Sequence, residues 1–297
     1  MKKPIFLGVA TALVTPFCED GVNIPELYRL IDMQLDAGIP AIVLCGTTGE
    51  ASTMTEKELL TVIEKGCEYI GGRAIVIAGT GSNNTAHAIH LTKEAQSLGA
   101  DAALVVTPYY NKATEQGLIL HYGNIADAAQ IPVITYNVPS RTGVNLSLNV
   151  CRSLAKHGNI NGIKEASGDI AKVSKIIGEL GSDFYVWSGN DDQNTAITAL
   201  GGKGAISVLS NICPLETMRM VDPFFTKSPK AAAETQNRMM PLIEALFCEV
   251  NPIPVKEALA MMGYDTSLLR LPLCPMKKQN RTLLREALQK AKVIATG

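Results

Sequence analysis

Lys164 stands in the run Gly162-Ile163-Lys164, followed by Glu165-Ala166-Ser167-Gly168-Asp169. On a β-strand, alternation sends Ile163 to one face and Lys164 to the other. A lysine turned into a closed interior loses hydration, and desolvation lowers its pKa. The neutral amine that results is the nucleophile that forms a Schiff base with a keto acid. A second reading pairs Lys164 with Glu165 or Asp169 as a structural ion pair, and strand context alone does not separate the two. Tyr136 ends the run Pro132–Tyr136 and shares a face with Ile134. Its phenol could pass a proton to a carbinolamine or an enamine, or it could be a core tyrosine with a satisfied hydroxyl. Thr47 and Thr48, flanked by Gly46 and Gly49, offer hydroxyls and backbone N–H groups to a carboxylate, or simply cap a helix. Arg141, five residues past Tyr136, suits bidentate capture of a second carboxylate, or is a solvated loop charge.

These residues sit at the C-terminal ends of apolar runs that recur along the chain. The runs are Phe6–Val14, Ala41–Cys45, Ala74–Ala78, Ala102–Thr107, Pro132–Tyr136, Gly162–Lys164, Phe184–Trp187 and Ala205–Leu209. Each is continuously apolar, as in parallel strands covered on both faces. Helix-length segments with 3.6-residue periodicity separate them, among them Ile24–Ala37, Glu56–Tyr69 and Ala86–Leu98. Thr55 with Glu58, Ser147 and Asp169 are candidate N-caps, and Gly38, Gly99 and Gly181 stand where C-terminal glycines are expected.

Strands alternating with helices in this way predict an α/β fold, a (β/α)₈ TIM barrel, with its chemistry at the C-terminal strand ends. An open doubly wound sheet is the alternative. It is disfavoured because Gly79-Thr80-Gly81 has Asn84 where a dinucleotide fingerprint needs its third glycine, and no Ser or Thr follows Lys203 in Gly202-Lys203-Gly204. After Asn211 the pattern turns helical, over roughly 214–225, 229–249, 253–262 and 280–293. The expected division is a barrel at 1–225 and a C-terminal helical extension at 226–297.

Composition narrows the function classes. The 297 residues are 46% hydrophobic and 19% charged, enough for a large core and unlike a disordered chain. A net charge of −1 and 5% aromatic residues give no footprint for nucleic acid or an anionic membrane. No apolar stretch reaches the roughly 18 residues of a membrane helix. Lys2-Lys3 ahead of an apolar run imitates a secretory leader, but Pro4 and the poor cleavage site Thr15-Pro16-Phe17 make that run the first strand. Seven scattered cysteines with no C-x-x-C pair read as free thiols in a reducing cytoplasm. His87 and His90 share one helix with no third ligand in sight, so no metal site is expected.

Four longer motifs occur in order: Gly-Thr-Thr-Gly-Glu at 46–50, Tyr-Asn-Val-Pro-Ser-Arg-Thr-Gly at 136–143, Gly-Ile-Lys-Glu-Ala-Ser-Gly-Asp at 162–169 and Gly-Ala-Ile-Ser-Val at 204–208. With Ala12–Phe17 and Asn251–Lys256 beyond them, the match spans nearly the whole chain. In these stretches the chain resembles the dihydrodipicolinate synthase family, in the pyruvate-dependent class I aldolase group that includes N-acetylneuraminate lyase. The resemblance implies condensation of pyruvate with L-aspartate 4-semialdehyde through a lysine Schiff base, in the diaminopimelate route to lysine. It makes Lys164 the Schiff-base lysine and Tyr136 the proton donor and acceptor, linked through Thr47 to a Tyr110 that a neighbouring subunit contributes. Thr47 and Thr48 hold the pyruvate carboxylate, Arg141 binds the aldehyde substrate, and Gly189 and Ile206 line the pocket. The iminium is the electron sink, so no cofactor and no metal are implied. A cytoplasmic homotetramer, a dimer of dimers, is the usual assembly. Two rival readings are another aldolase of the same group, which generally lacks the stretch at 140–143, and a keto-acid-binding barrel without catalysis, expected to have lost Lys164 or Tyr136.

Lysine-regulated members of that family carry a polar allosteric pocket. Asn83 and Tyr109 match its positions here, but Ala51, beside Ser52, replaces a serine, Glu56 and Leu59 replace histidines, and His87 replaces a glutamate. The expectation is a degenerate pocket, with weak or absent inhibition by lysine.

Overall fold

Burial on both faces is common to the eight apolar runs, and in the computed structural model of the chain each contributes a parallel strand. The structure describes residues 2–226 and 229–295. The barrel strands are β1 (Gly8–Ala12), β2 (Ala41–Leu44), β3 (Ile75–Gly79), β4 (Ala102–Val106), β5 (Val133–Asn137), β6 (Ile160–Glu165), β7 (Tyr185–Ser188) and β8 (Gly204–Ser207). Each pairs with the next, and β8 returns to β1 through Gly8 opposite Gly204, closing the expected TIM barrel. The run at 6–14 is longer than its strand, and Leu209 belongs to a single helical turn, Leu209–Asn211, rather than to β8. A short hairpin, Phe17–Cys18 with Gly21–Val22, follows β1 and has no counterpart in the sequence reading.

Between the strands lie α1 (Ile24–Asp36), α2 (Glu56–Ile70), α3 (Thr85–Ser97), α4 (Glu115–Ala128), α5 (Leu148–Ala155), α6 (Ile170–Leu180) and α7 (Asn194–Ala199), and α8 (Pro214–Val221) follows β8. Thr55 and Glu58 form a reciprocal capping box, and the Ser147 and Asp169 side chains cap α5 and α6. Gly181 departs from expectation. Its backbone is right-handed, and it is glycine because a Cβ there would stand 2.5 Å from the Ile177 carbonyl oxygen. Three further helices follow: α9 (Pro229–Leu246), α10 (Ile253–Met261) and α11 (Lys278–Lys290), the last beginning and ending slightly earlier than its periodicity suggests.

The barrel interior is filled by Ala10, Val43, Ile77, Leu104, Ile134, Trp187 and Ile206, with Phe6 stacked on Trp187. Outside the sheet, one continuous core joins Val9, Leu13 and Ile42 of the barrel side to Leu242, Ile243, Val255, Leu259 and Leu284 of the last helices. Each such side chain contributes about 1.5–3 kcal/mol by leaving water, so the C-terminal helices are held to the barrel by burial. At the opposite end from the predicted chemistry, the Lys2 ammonium donates to the carbonyls of Ala155, His157 and Ile160 at 2.6–2.9 Å, and Tyr185 donates to the Lys2 carbonyl. Among the described residues all seven cysteines are free, and no helix is long and apolar enough to cross a membrane.

Candidate active site

Register decides which side chains meet at the barrel mouth. Tyr136 on β5 stands opposite Lys164 on β6, which in turn stands opposite Trp187 on β7. Opposed residues of a sheet share a face, and the Lys164 amine lies 4.4 Å from the centre of the Tyr136 ring. Lys164 is buried and forms no ion pair with any described residue. The two carboxylates that could have neutralised it are committed elsewhere. Glu165 pairs with Lys172 at 2.9 Å and accepts from the Asn137 amide, while Asp169 accepts the Lys172 backbone N–H at the start of α6. The structural ion pair left open by the sequence is therefore not made.

Burial brings the Lys164 pKa down to about 8; the Asp191 carboxylate works against this and the Arg141 guanidinium with it. The amine is thus available near neutral pH. Tyr136 moves the other way: burial pushes its phenol up to about 12, with Arg141 and the Thr47 hydroxyl pulling back. It stays protonated and able to give that proton. Gly189 follows β7 and backs Lys164 closely, since a Cβ there would stand 3.1 Å from the lysine Cε and 2.8 Å from the Ala166 Cβ. Ile206 is fully buried in the same interior cluster as Tyr136.

The Gly46–Glu50 segment after β2 turns sharply. Gly49 N–H donates to the Gly46 carbonyl and Glu50 N–H to the Thr47 carbonyl, both at 3.1 Å. Neither the Thr47 nor the Thr48 amide donates to a described residue, which leaves two N–H groups of the turn free for an anion. The Thr48 hydroxyl accepts from the Asn251 side-chain amide at 3.0 Å. Arg141, on the one-turn helix Pro139–Thr142, donates to the Asn251 carbonyl at 3.1 Å. One residue just ahead of α10 thus touches both groups that the sequence nominated for carboxylates.

Thr47, Tyr136, Arg141 and Lys164 line a cavity of about 450 Å³. The same cavity runs on to Ala51, Ser52, Glu56, Leu59, His87 and Tyr109. There Glu56 accepts from His90 at 2.9 Å and lies 3.8 Å from His87, and the Asn83 amide donates to the Tyr109 carbonyl. Thr48, Gly189 and Ile206 are not on the cavity wall; they support it. Tyr110 is not brought to Tyr136 within one chain: its backbone is left-handed, at φ 71°, and its side chain is 91% exposed.

Sequence reasoning did not single out Asp191 or Asn251. Asp191 is a buried carboxylate that accepts from Ser207, Asn194 and the amides of Val208 and Leu209, tying β7 to the end of β8. Nothing in its local pattern, Asn190-Asp191-Asp192, distinguishes it from a solvated loop acid. Asn251 was visible only as part of a motif, without a role.

A sequence profile of the Dihydrodipicolinate synthetase family matches residues 5–291. The chain belongs to that family. Among its relatives, the 4-hydroxy-tetrahydrodipicolinate synthase of Caldicellulosiruptor saccharolyticus is 51% identical over 96% of this chain and 97% of its own. The enzyme of the same name from Thermoanaerobacter sp. (strain X514) is 49% identical over 97% of both chains. A solved dihydrodipicolinate synthase of Acinetobacter baumannii, complexed with pyruvate, superposes with a TM-score of 0.95 at 44% identity, covering 97% of this chain and 100% of that one. Family membership over nearly the whole length agrees with the closed barrel and leaves the roles of individual side chains to be argued from their geometry.

Proposed function

We propose that this chain is a lyase, a 4-hydroxy-tetrahydrodipicolinate synthase, that condenses pyruvate with L-aspartate 4-semialdehyde in the diaminopimelate route to lysine. The observation that carries the reading is a buried lysine amine with no carboxylate partner among the described residues, set over the ring of a buried tyrosine. Lys164 attacks the keto carbon of pyruvate to give a carbinolamine. Tyr136 protonates the departing hydroxyl, water leaves, and an iminium remains. The Tyr136 phenolate left by that step takes a methyl proton, turning the iminium into an enamine; the enamine carbon attacks the aldehyde, and the phenol returns the proton to the new alkoxide. The substrate amine then displaces the lysine by transimination, closing the ring and freeing Lys164. The free amides of Thr47 and Thr48, with their hydroxyls, hold the pyruvate carboxylate, and Arg141 takes that of the aldehyde.

Under this reading Tyr110, exposed in one chain, reaches Thr47 and Tyr136 of a second subunit, which calls for at least a dimer and fits a tetramer of two such dimers. The barrel at 1–225 carries the chemistry and the helices at 226–297 support it, in a cytoplasmic enzyme that uses no cofactor. The far end of the cavity, with Ala51, Ser52, Glu56, Leu59, His87 and Tyr109, and with Asn83 behind Tyr109, is a degenerate counterpart of the family's lysine pocket.

A coupled assay with pyruvate and L-aspartate 4-semialdehyde tests the activity. Pyruvate with borohydride should add covalent mass to the wild-type chain and none to Lys164→Ala, while Tyr136→Phe lowers turnover by about 10²- to 10⁴-fold. A keto-acid-binding barrel would show no turnover. An aldolase of the same group with another acceptor would trap pyruvate and yet ignore the semialdehyde.

A further inference from the structure

We infer that the buried Glu50–Lys256 ion pair is the positioning device of the turn at Thr47 and Thr48, so that a helix outside the barrel sets the affinity for pyruvate. The inference rests on the reading of Lys164 and the turn given above. Both side chains are wholly buried, and the ammonium stands 2.6 Å from the Glu50 carboxylate. Its other two donors are spent on the carbonyls of Thr15, at 3.1 Å, and Leu268, at 2.6 Å. An ammonium with all three N–H directions claimed fixes its acceptors in space as no apolar contact would. Burying an ion pair is weak evidence for stability, since well-packed apolar residues often do as well, whereas fixing a geometry is a use that apolar residues do not replace.

What the pair fixes is the end of the turn. Glu50 has a left-handed backbone, at φ 55°, which a side chain adopts only against strain. Its amide closes the turn on the Thr47 carbonyl, and its second carboxylate oxygen accepts from the Arg270 amide at 3.3 Å. The strained residue is therefore anchored from the C-terminal segment, and the two unpaired amides just before it take their direction from that anchor. Lys256 touches neither cavity nor substrate site; it acts through Glu50.

The test compares Glu50→Gln, Lys256→Met and the double variant Glu50→Gln/Lys256→Met with wild type in the coupled assay, with thermal unfolding alongside. Each single variant strands a polar partner and loses stability; the double removes both charges. In the double variant the melting temperature should recover most of the loss, while KM for pyruvate stays raised about tenfold, equivalent to about 1.4 kcal/mol. Saturated turnover should stay within about threefold and KM for the aldehyde within about twofold. The pyruvate concentration that half-saturates borohydride trapping should rise with KM. Wild-type pyruvate KM in the double variant, or both KM values moving together, overturns the inference. If the double variant does not fold, Glu50→Asp keeps the charge but draws the carboxylate back by one methylene, and should raise pyruvate KM at nearly unchanged melting temperature; an unchanged KM there overturns the inference equally. Failure of wild type to trap pyruvate would instead remove the proposed function itself.

Discussion

Lys164 and Lys256 are both taken out of water, one at the barrel mouth and one where α10 meets the strand ends, and they are treated in opposite ways. Lys256 is given three oxygen acceptors, one a carboxylate, so burial draws its pKa down while Glu50 pulls against it. Lys164 is given the face of a tyrosine and, among the described residues, no carboxylate within ion-pairing distance, and burial brings it to about 8. A fully partnered ammonium is an inert structural strut. An unpartnered amine in the same low-dielectric surroundings is a nucleophile. What separates the two is where the nearby carboxylates are sent: Glu165 to Lys172, Asp191 to the end of β8, and Glu50 to Lys256.

If this contrast is sound, removing the two ammonium groups should move stability in opposite directions. Lys256→Met leaves Glu50 buried and alone, and unfolding in urea should show a loss of about 3–5 kcal/mol. Lys164→Met should instead stabilise at pH 7 while abolishing activity. The folded pKa, about 8, lies below the ordinary 10.5, so at pH 7 both states hold the proton and the folded state bears the cost of burying it. Between 8 and 10.5 the unfolded chain binds the proton that the folded one has released, stability rises with pH, and above 10.5 the penalty is gone. The gain at pH 7 is therefore at most about 3 kcal/mol, fading as the pH rises. Two changes of the same sign would break the comparison.

The second effect is kinetic. Because only the free amine attacks, kcat/KM for pyruvate should climb about tenfold per unit below pH 8 and level off above it. Asp191→Asn removes the carboxylate that favours the ammonium, so it should move that midpoint to lower pH. A profile flat from pH 6 to 9 would mean that Lys164 is not the titrating group. The smallest effect is expected from L-lysine. At the far end of the cavity Glu56 is already held by His90, His87 offers an imidazole instead of a carboxylate, and Leu59 offers nothing polar. The missing charge-assisted bond is worth roughly 1.5–3 kcal/mol. Millimolar lysine under saturating pyruvate should change the rate by less than about twofold, since such a loss is tenfold or more in affinity. Inhibition below one millimolar would show a rebuilt pocket.

The barrel was legible because each strand is a run of apolar residues buried on both faces, and the candidate site because Lys164 and Tyr136 keep their alternation up to the strand ends. What one chain's sequence does not display is tertiary commitment. Glu165 sits beside Lys164 in sequence and looks like its partner, yet adjacent residues on a strand point to opposite faces, and only the placement of α6 reveals Lys172. Glu50 and Lys256 are 206 residues apart, and a lone lysine within Ile253–Leu259 reads as a solvated position on a helix until that face is seen packed on the barrel. Asp191 shows the same blindness, for three of its partners, Ser207, Val208 and Leu209, lie at and just past the end of the next strand.

Lys2 is half of the pair that imitates a leader in the sequence, and the carbonyl cradle around its ammonium gives it a structural role instead. That cradle holds the N-terminal segment to the turn where α5 hands over to β6, a full strand length from the amine at the mouth. Under the proposed function the chemistry sits at the rim, while the contacts of Lys2 lie at the base, so the two ends can be tuned apart. An engineer seeking a hardier catalyst should begin at the base, around Lys2, Asn161 and Tyr185, where a tighter plug leaves the rim free to keep its strain.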